Sequence, residues 1–210
     1  MSKRAIFLGS FNPPHKGHLA VIKSLLDSGM LEHLNIDKVH IIPCFQNPNK
    51  LKQTPFWDRY KMTTFMFAPL VATGKVVVDD IESHIEPQYT SDMIEYFNSN
   101  EDKYIKDDFW WVITNETLQE IKDGKWHNSE QLLYDNNFII MYTENDCVMY
   151  DAIQLVKCGK IDGVSVKINY DEDINYHSTQ IRDNIKNGND IVSMINENVA
   201  QYIYEQKLYK

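Results

Sequence analysis

Short apolar runs rich in β-branched and aromatic residues alternate along the chain with stretches whose apolar residues repeat at helical spacing. The runs lie at residues 5–8, 39–42, 76–78, 109–113, 138–142 and 164–168. Their apolar residues are mostly consecutive rather than alternating, which is typical of strands covered on both faces. The pattern therefore predicts a doubly wound α/β fold with a mostly parallel sheet and crossover helices.

Helical spacing is clearest in three stretches between these runs. They are marked by Leu19, Ile22 and Leu26, by Tyr60, Thr64 and Phe67, and by Ile94 and Phe97. The polar residues 98–108 that follow the third stretch are expected to form a surface loop.

The chain changes character after residue 177, where two further helical patterns occur. We expect Gly188 to end the first of these helices and Asp190 to cap the second. Residues 178–210 should then form a helical C-terminal part that packs against the sheet, within one domain spanning residues 1–210.

Composition and charge narrow the classes of function. Of the 210 residues, 30 are acidic and 21 are basic, which gives a net charge of -9, and no Lys/Arg run could follow a nucleic-acid backbone. The first apolar run is too short for a signal peptide or a membrane span. The three cysteines include no CxxC pair, which disfavours a disulfide framework or a thiolate zinc site. We therefore expect a cytoplasmic protein with neither nucleic-acid nor membrane partners.

The segment GSFNPPHKGH, residues 9–18, carries the first candidate chemistry. It follows the first predicted strand, and its two prolines stop extended pairing so that a helix can begin near His15. This places the segment at the carboxyl end of a strand, where open α/β sheets bind ligands. On a helix, His15 and His18 would share a face beside the unpaired N–H groups of the first turn, which suits phosphate oxygens.

The glycines of this segment fit the same interpretation. Gly17 would let a nucleotide approach the backbone, and Gly9 and Ser10 can offer N–H groups to a second phosphate. Taken as a bare HxxH pair, the two histidines could instead be ordinary surface residues or metal ligands without a third partner nearby.

A second candidate lies at HSTQIRDNI, residues 177–185. Ser178 and Thr179 stand where a helix N-cap is expected, and Ile181 and Ile185 supply a buried stripe. Arg182 would lie in or near the first turn, where the helix dipole disfavours a cation but where a triphosphate could bind. The alternative is a capped helix whose Arg182 forms a solvated ion pair.

Together the two segments resemble the HxGH nucleotidyltransferase superfamily, and specifically the nicotinate/nicotinamide mononucleotide adenylyltransferases. GSFNPPHKGH resembles the first family signature, and HSTQIR resembles the second, ISSTxIR. The resemblance implies catalytic roles for His15, His18 and Arg182, with His18 steadying the charge at the α-phosphate of ATP. The implied ATP contacts are Gly9, Ser10, Phe11, His15, Gly17, His18, Ser178, Thr179 and Arg182.

The resemblance extends to segments that bind the mononucleotide in this family. The implied contacts are Ser10, Phe11, Lys50, Tyr89, Thr90, Glu116 and Trp126. Tyr89 and Thr90 would line the pyridine pocket, and Trp126 would stack on the pyridinium ring. Each has a plainer interpretation, namely a solvated lysine for Lys50, a helix cap for Thr90 and an aromatic plug for Trp126.

Three further positions bear on the resemblance. Arg59 could order the loop before it, approach the mononucleotide or form a surface ion pair. The GAD turn of the family reads Thr114-Asn115-Glu116 here, which would crowd a close ribose contact. The arginine that usually follows the fifth strand is absent from MYTEN, residues 141–145.

The implied reaction is transfer of the AMP part of ATP to nicotinate or nicotinamide mononucleotide, which yields NAD or its deamido form and pyrophosphate. Mg²⁺ would be carried with ATP, so we name no protein metal ligand. A homo-oligomer is left open. The alternatives are a transferase with a phosphopantetheine, cytidylyl or flavin mononucleotide acceptor, or a catalytically silent nucleotide-binding protein. A class I aminoacyl-tRNA synthetase is disfavoured because the chain is short and acidic and lacks a KMSKS-type loop.

Overall fold

A six-stranded parallel sheet forms the centre of the described structure. The computed structural model describes residues 3–47, 52–87, 89–99, 109–143, 162–168 and 176–210. The strands are β1 (Lys3–Gly9), β2 (Ile36–Pro43), β3 (Val76–Val78), β4 (Phe109–Thr114), β5 (Asn137–Tyr142) and β6 (Asp162–Lys167). Their order is β3-β2-β1-β4-β5-β6, and each neighbouring pair is parallel. The predicted parallel sheet is confirmed, with each apolar run inside or overlapping one strand.

Helices connect and cover these strands. They are α1 (Lys16–Asp27), α2 (Met30–Leu34), α3 (Phe56–Val71), α4 (Glu82–Ile85), α5 (Thr90–Ser99), α6 (Asn115–Lys122), α7 (Ser129–Asp135), α8 (Ser178–Lys186) and α9 (Glu197–Glu205). The three predicted helical stretches correspond to α1, α3 and α5. The sequence did not predict α2 and α4, because helices of five and four residues are too short to show a helical period.

Both faces of the sheet are buried, because alternate side chains of each strand point to opposite sides. Along β1, Ala5 and Phe7 join an apolar cluster formed with α1, α3, α8 and α9. Ile6 joins a second cluster formed with α5, α6 and α7. The helices on both sides explain why the strands are apolar at consecutive positions, and they confirm the doubly wound fold.

The C-terminal part is helical and packs against the first of these clusters, as predicted. Gly188, at φ +71°, adopts the left-handed conformation that ends α8. The prediction for Asp190 was wrong, because Asn196 caps α9 by accepting a bond from the Val199 N–H. Asp190 instead accepts from the Val192 N–H within a turn. Between Asp190 and α9, Ile191, Met194 and Ile195 are buried in the core while the backbone forms turns.

Two sequence expectations concern the surface and the loops. The predicted loop at residues 98–108 begins later than expected, since α5 extends to Ser99, and residues 100–108 lie outside the described ranges. Within those ranges, no helix combines the length and the apolar character that a membrane crossing requires.

Asn196→Ala should lower the free energy of unfolding by about 1–2 kcal/mol, because it removes a helix cap and a second hydrogen bond. The second bond runs from the Asn196 amide to the Phe65 carbonyl over 2.9 Å and joins the C-terminal part to α3. Urea unfolding followed by circular dichroism measures the loss. Asp190→Ala is the matched control, with an expected change within about 0.5 kcal/mol. Equal losses in the two variants would contradict the assignment of the cap.

Candidate active site

A crevice forms where β1 and β4 lie side by side. From β1 the chain passes through α1 to β2 on one side, and from β4 it passes through α6 to β5 on the other. In open parallel sheets such a change of direction leaves a crevice outside the carboxyl ends of the two strands, and ligands bind there. The first motif, residues 9–18, begins at the end of β1 and therefore lies at this crevice.

The imidazole rings of His15 and His18 face each other at the start of α1. Their centroids are 3.6 Å apart, and the His15 N–H donates to Nδ1 of His18 over 3.1 Å. Because Nδ1 accepts this bond, a neutral His18 ring carries its proton on Nε2. The structure thus brings the two predicted histidines together and fixes Nε2 of His18 as the donor.

His15 differs from His18 in its environment. It is the N-cap residue of α1 and is only 7% exposed. Burial, with a smaller contribution from the charge of His177, lowers the pKa of the His15 imidazole to about 3. Its buried Nδ1 has no hydrogen-bond partner among the described residues. His15 is therefore neutral near pH 7 and would contact a phosphate through an N–H group rather than a full charge.

The Phe11 ring packs against the ring of His18 at the start of α1. Its ring is 1% exposed and makes an edge contact with the His18 ring at a centroid distance of 5.1 Å. Gly9 makes room for it, since a Cβ on Gly9 would lie 2.7 Å from the Phe11 ring. Phe11 is thus almost fully enclosed, and its nucleotide contacts stay a prediction. The same contacts for Gly9, Ser10 and the buried Gly17 stay predictions.

The second motif packs directly against the first. The Ser178 hydroxyl donates to the Pro13 carbonyl over 2.9 Å, across 165 positions of the chain. Arg182 donates from Nη1 to the Asn12 carbonyl over 2.8 Å and from Nη2 to the Thr179 hydroxyl over 3.0 Å. All three predicted residues of this motif therefore lie beside the turn that precedes His15.

The local assignment of this helix start needs a correction. The N-cap of α8 is His177, not Ser178 or Thr179, and its side chain makes no capping bond. The Ser178 hydroxyl is directed at the Pro13 carbonyl instead of a backbone N–H of its own helix. Arg182 lies in the second turn, where the dipole disfavours a cation less than at the first residues.

Arg59 has the role of ordering loops. It is 1% exposed, and its guanidinium donates to four backbone carbonyls. These belong to Ser10, Cys44, Phe45 and Thr54, at 2.7–2.8 Å. Of the three interpretations that the sequence allowed, the structure supports the first, because the side chain ties the turn after β1 to the segments after β2 and before α3.

Glu82 belongs to the same buried network, and sequence reasoning missed it. It is 3% exposed, and its carboxyl accepts a bond from the Phe45 N–H over 2.6 Å. Burial raises the pKa of Glu82 to about 7, although the Phe45 bond and the charge of Arg59 oppose the shift. No local pattern marks a buried acid here, since its partners are distant in the sequence.

Tyr89 and Trp126, which are predicted to contact the mononucleotide, are linked through His127, a residue that was not predicted. The Tyr89 ring stacks on the ring of His127 with centroids 4.5 Å apart. The Ser91 hydroxyl lies 3.1 Å from Nδ1 of His127. Trp126 is half-buried, and its Nε1–H donates to Glu120 over 3.2 Å. Residues 89–91 and 126–127 therefore form one continuous surface.

Thr90 is not the N-cap of α5, because it is the first residue within that helix. The Asp92 carboxylate accepts a bond from the Tyr89 N–H over 2.9 Å at the same helix start. The mononucleotide contacts expected of Tyr89, Thr90 and Trp126 stay predictions. Lys50 lies outside the described residues.

The turn at residues 114–116 is an ordinary helix start. The Thr114 hydroxyl caps α6 by accepting a bond from the Thr117 N–H, and Glu116 lies in the first turn. Asn115 is 1% exposed, and its side-chain atoms have no partner among the described residues. Glu116 follows the carboxyl end of β4, and its contact with the mononucleotide stays a prediction. Across the described ranges, no three His, Cys, Asp or Glu side chains are grouped so that they could hold a metal ion.

The fold and the site define an α/β nucleotidyltransferase architecture with a histidine pair at its switch point. A family model described as cytidylyltransferase-like matches residues 6–184. The chain belongs to this cytidylyltransferase-like family.

Relatives and solved structures agree with this assignment. A probable nicotinate-nucleotide adenylyltransferase of Endomicrobium trichonymphae is 30% identical over all of both chains. One of Christiangramia forsetii is 27% identical over 99% of this chain and 98% of its own. The nicotinic acid mononucleotide adenylyltransferase of Plasmodium falciparum complexed with APC is 21% identical, with a TM-score of 0.78 over 100% of this chain and 98% of that one. The resemblance that the two motifs indicated is confirmed.

Glu82→Gln should make stability less dependent on pH. The pKa of Glu82 is raised from 4.5 to about 7 in the folded protein. Between these pH values the unfolded chain releases the proton while the folded protein keeps it, so raising the pH lowers the free energy of unfolding. The variant keeps an acceptor for the Phe45 N–H but does not titrate.

Urea unfolding at pH 5 and pH 7.5 tests this expectation. Across this interval the free energy of unfolding of the wild type should fall by roughly 2 kcal/mol relative to that of the Gln variant, with other titrating groups common to both proteins. If the free energies of unfolding of the wild type and the Gln variant changed equally with pH, Glu82 would titrate at its ordinary pKa.

Proposed function

We propose that this protein is an adenylyltransferase of NAD biosynthesis that joins nicotinate or nicotinamide mononucleotide to the AMP part of ATP and releases pyrophosphate. One observation carries the proposal. The turn at residues 10–14 leads into His15 and His18 and is contacted by Ser178 and Arg182 of the second motif. Family membership supports the nucleotidyl chemistry, and the names of the relatives favour nicotinate mononucleotide as the acceptor.

The reaction requires little covalent chemistry from the side chains of the protein. A 5′-phosphate oxygen of the mononucleotide attacks the α-phosphorus of ATP in line, and a new P–O bond forms as the bond to the β-phosphate oxygen breaks. The attacking oxygen is already an anion, so neither a protein nucleophile nor a covalent intermediate is required. The protein must align the reactants and stabilise the charge that develops on the phosphate oxygens.

The geometry supports distinct roles for the two histidines and the arginine. His18 would donate from Nε2 to an oxygen of the α-phosphate, because Nδ1 is held by the His15 backbone. His15 would act as a neutral donor beside it. Arg182, with Ser178 and Thr179, would bind the β- and γ-phosphates, since a guanidinium keeps its charge while its N–H groups orient phosphate oxygens.

ATP would enter as its magnesium complex. Mg²⁺ prefers oxygen ligands and retains several waters, so triphosphate oxygens and water suit it without a protein cage. The protein would then act on the complex through its histidine and arginine N–H groups.

The acceptor would lie on the side of the crevice near α5 and α6. Tyr89, Thr90 and Trp126 would contact the pyridine ring, while Lys50 and Glu116 would contact the phosphate and ribose parts. The surface joining residues 89–91 to residues 126–127 supports a shared ring pocket. We further propose a cytoplasmic location and leave a homo-oligomer open.

Pyrophosphate release tests the function directly. The protein should turn over ATP with nicotinate mononucleotide, with a kcat/KM at least about ten-fold above that for nicotinamide mononucleotide, which corresponds to about 1.4 kcal/mol of discrimination. Parallel assays use phosphopantetheine and flavin mononucleotide as acceptors, and assays with CTP test cytidylyl transfer. Turnover only in one of these would indicate another transferase, and tight ATP binding without any turnover would indicate a silent nucleotide-binding protein.

His18→Ala should reduce kcat by at least about 100-fold, the scale of removing one donor to the transition state. The exposed His33 in α2 offers a matched control, and His33→Ala should retain wild-type turnover. Thermal unfolding of both variants separates a catalytic loss from a folding defect. Near-normal turnover by folded His18→Ala would refute the assigned role.

A further inference from the structure

The C-terminal end of the chain reaches the candidate ATP site through Asn12. The Tyr209 hydroxyl donates to Oδ1 of Asn12 over 2.8 Å, although the two residues are 197 positions apart. The Asn12 side chain is buried, at 4% exposed. Its Oδ1 also accepts a longer bond from the Thr54 N–H, at 3.4 Å. The hydroxyl of Tyr209 therefore makes the shorter of these two contacts with the buried oxygen.

The backbone carbonyl of the same asparagine is bound by Arg182, at 2.8 Å. The next carbonyl, that of Pro13, accepts the Ser178 hydroxyl at 2.9 Å. One short turn thus holds Arg182 and Ser178, two of the three side chains that we assign to the β- and γ-phosphates. A displacement of Asn12 would move the Arg182 guanidinium, and a misplaced cation binds phosphate less well.

The tail adopts an unusual backbone to make this contact. Past α9, Lys207 and Tyr209 have φ values of 54° and 65°, in the left-handed region that non-glycine residues seldom adopt. The Leu208 N–H is bonded to the Ile203 carbonyl over 3.0 Å, which turns the chain back. Burial raises the pKa of the Tyr209 hydroxyl, while Thr54 and the charges of Arg182 and Arg59 oppose this shift. The hydroxyl is therefore largely removed from solvent where it meets Asn12.

We propose that Tyr209 is a positioning residue for ATP, which acts by fixing Asn12 and, through it, Arg182 and Ser178. The inference rests on the proposed function for the identity of the reaction. The contact itself predicts an effect on ATP binding whichever acceptor the protein uses. Because Tyr209 is bonded to Asn12, whose carbonyl holds Arg182, the effect should fall on ATP and not on the mononucleotide.

Tyr209→Phe removes the hydroxyl and keeps the ring. We expect the KM for ATP to rise about three- to ten-fold, the range that corresponds to the loss of one hydrogen bond. The KM for the mononucleotide should stay within about two-fold of the wild type. ATP affinity measured by calorimetry should fall by the same factor as the KM rises.

Tyr202→Phe is the matched control. Tyr202 lies in α9, and its hydroxyl donates to Asp58 of α3 over 2.7 Å and not to Asn12. This variant loses a comparable bond between the C-terminal part and the body of the protein, so its thermal midpoint should fall. Its ATP affinity should remain that of the wild type.

A double-variant cycle completes the test. In an Asn12→Ala background, Tyr209→Phe should cause no further loss of ATP affinity, because the shared bond is already absent. Unchanged ATP affinity in Tyr209→Phe, or equal losses in Tyr209→Phe and Tyr202→Phe, would overturn the inference. Absence of turnover with either pyridine mononucleotide would refute the proposed function, while calorimetric ATP binding would still decide the role of Tyr209.

Discussion

The turn that follows β1 is buried, and its backbone carbonyls must find donors without help from the sheet. A buried carbonyl without a partner costs free energy comparable to a lost hydrogen bond, so such groups are nearly always paired. Here the donors are side chains from distant segments. Arg59 binds the carbonyl of Ser10, Arg182 that of Asn12, and Ser178 that of Pro13. The candidate site depends on this set of bonds, because it joins α3 and α8 to the turn that leads into His15.

The two arginines at this turn serve different purposes. Arg59 is buried, and its guanidinium is surrounded by four carbonyl oxygens. Arg182 is only half-buried and is bonded to Asn12 and Thr179, so part of its surface stays accessible. In a chain of net charge -9, Arg182 places a cation beside the turn that leads into His15, and we propose that this cation attracts phosphate there. The neutral His15 adds an N–H donor there without adding charge.

Several parts of this arrangement could be predicted from local patterns. Consecutive apolar residues predicted the strands, because a sheet covered on both faces leaves no polar side of a strand. The two prolines before His15 predicted that the helix carrying His15 and His18 begins shortly after β1. The role of Arg59 was left among three interpretations, and Asp190 was wrongly taken as a cap. In both cases contacts between segments that are distant in the sequence decided the outcome. Arg59 binds the carbonyls of Ser10 and Cys44. Ile191 and Ile195, which follow Asp190, are buried in the core.

The sequence by itself determined the fold class, the order of most elements and the two motifs that resemble nucleotidyltransferases, because each depends on periodicity or on residues close together in the chain. Tertiary structure decided which partners those motifs have. The stack of Tyr89 on His127, the burial of Glu82 and the bond from Tyr209 to Asn12 depend on how helices pack around the sheet. A hydrogen bond across 197 positions leaves no local pattern, since neither residue needs a particular neighbour to make it. The motif at residues 9–18 thus indicated a phosphate site, and the folded chain showed which side chains hold that site in place.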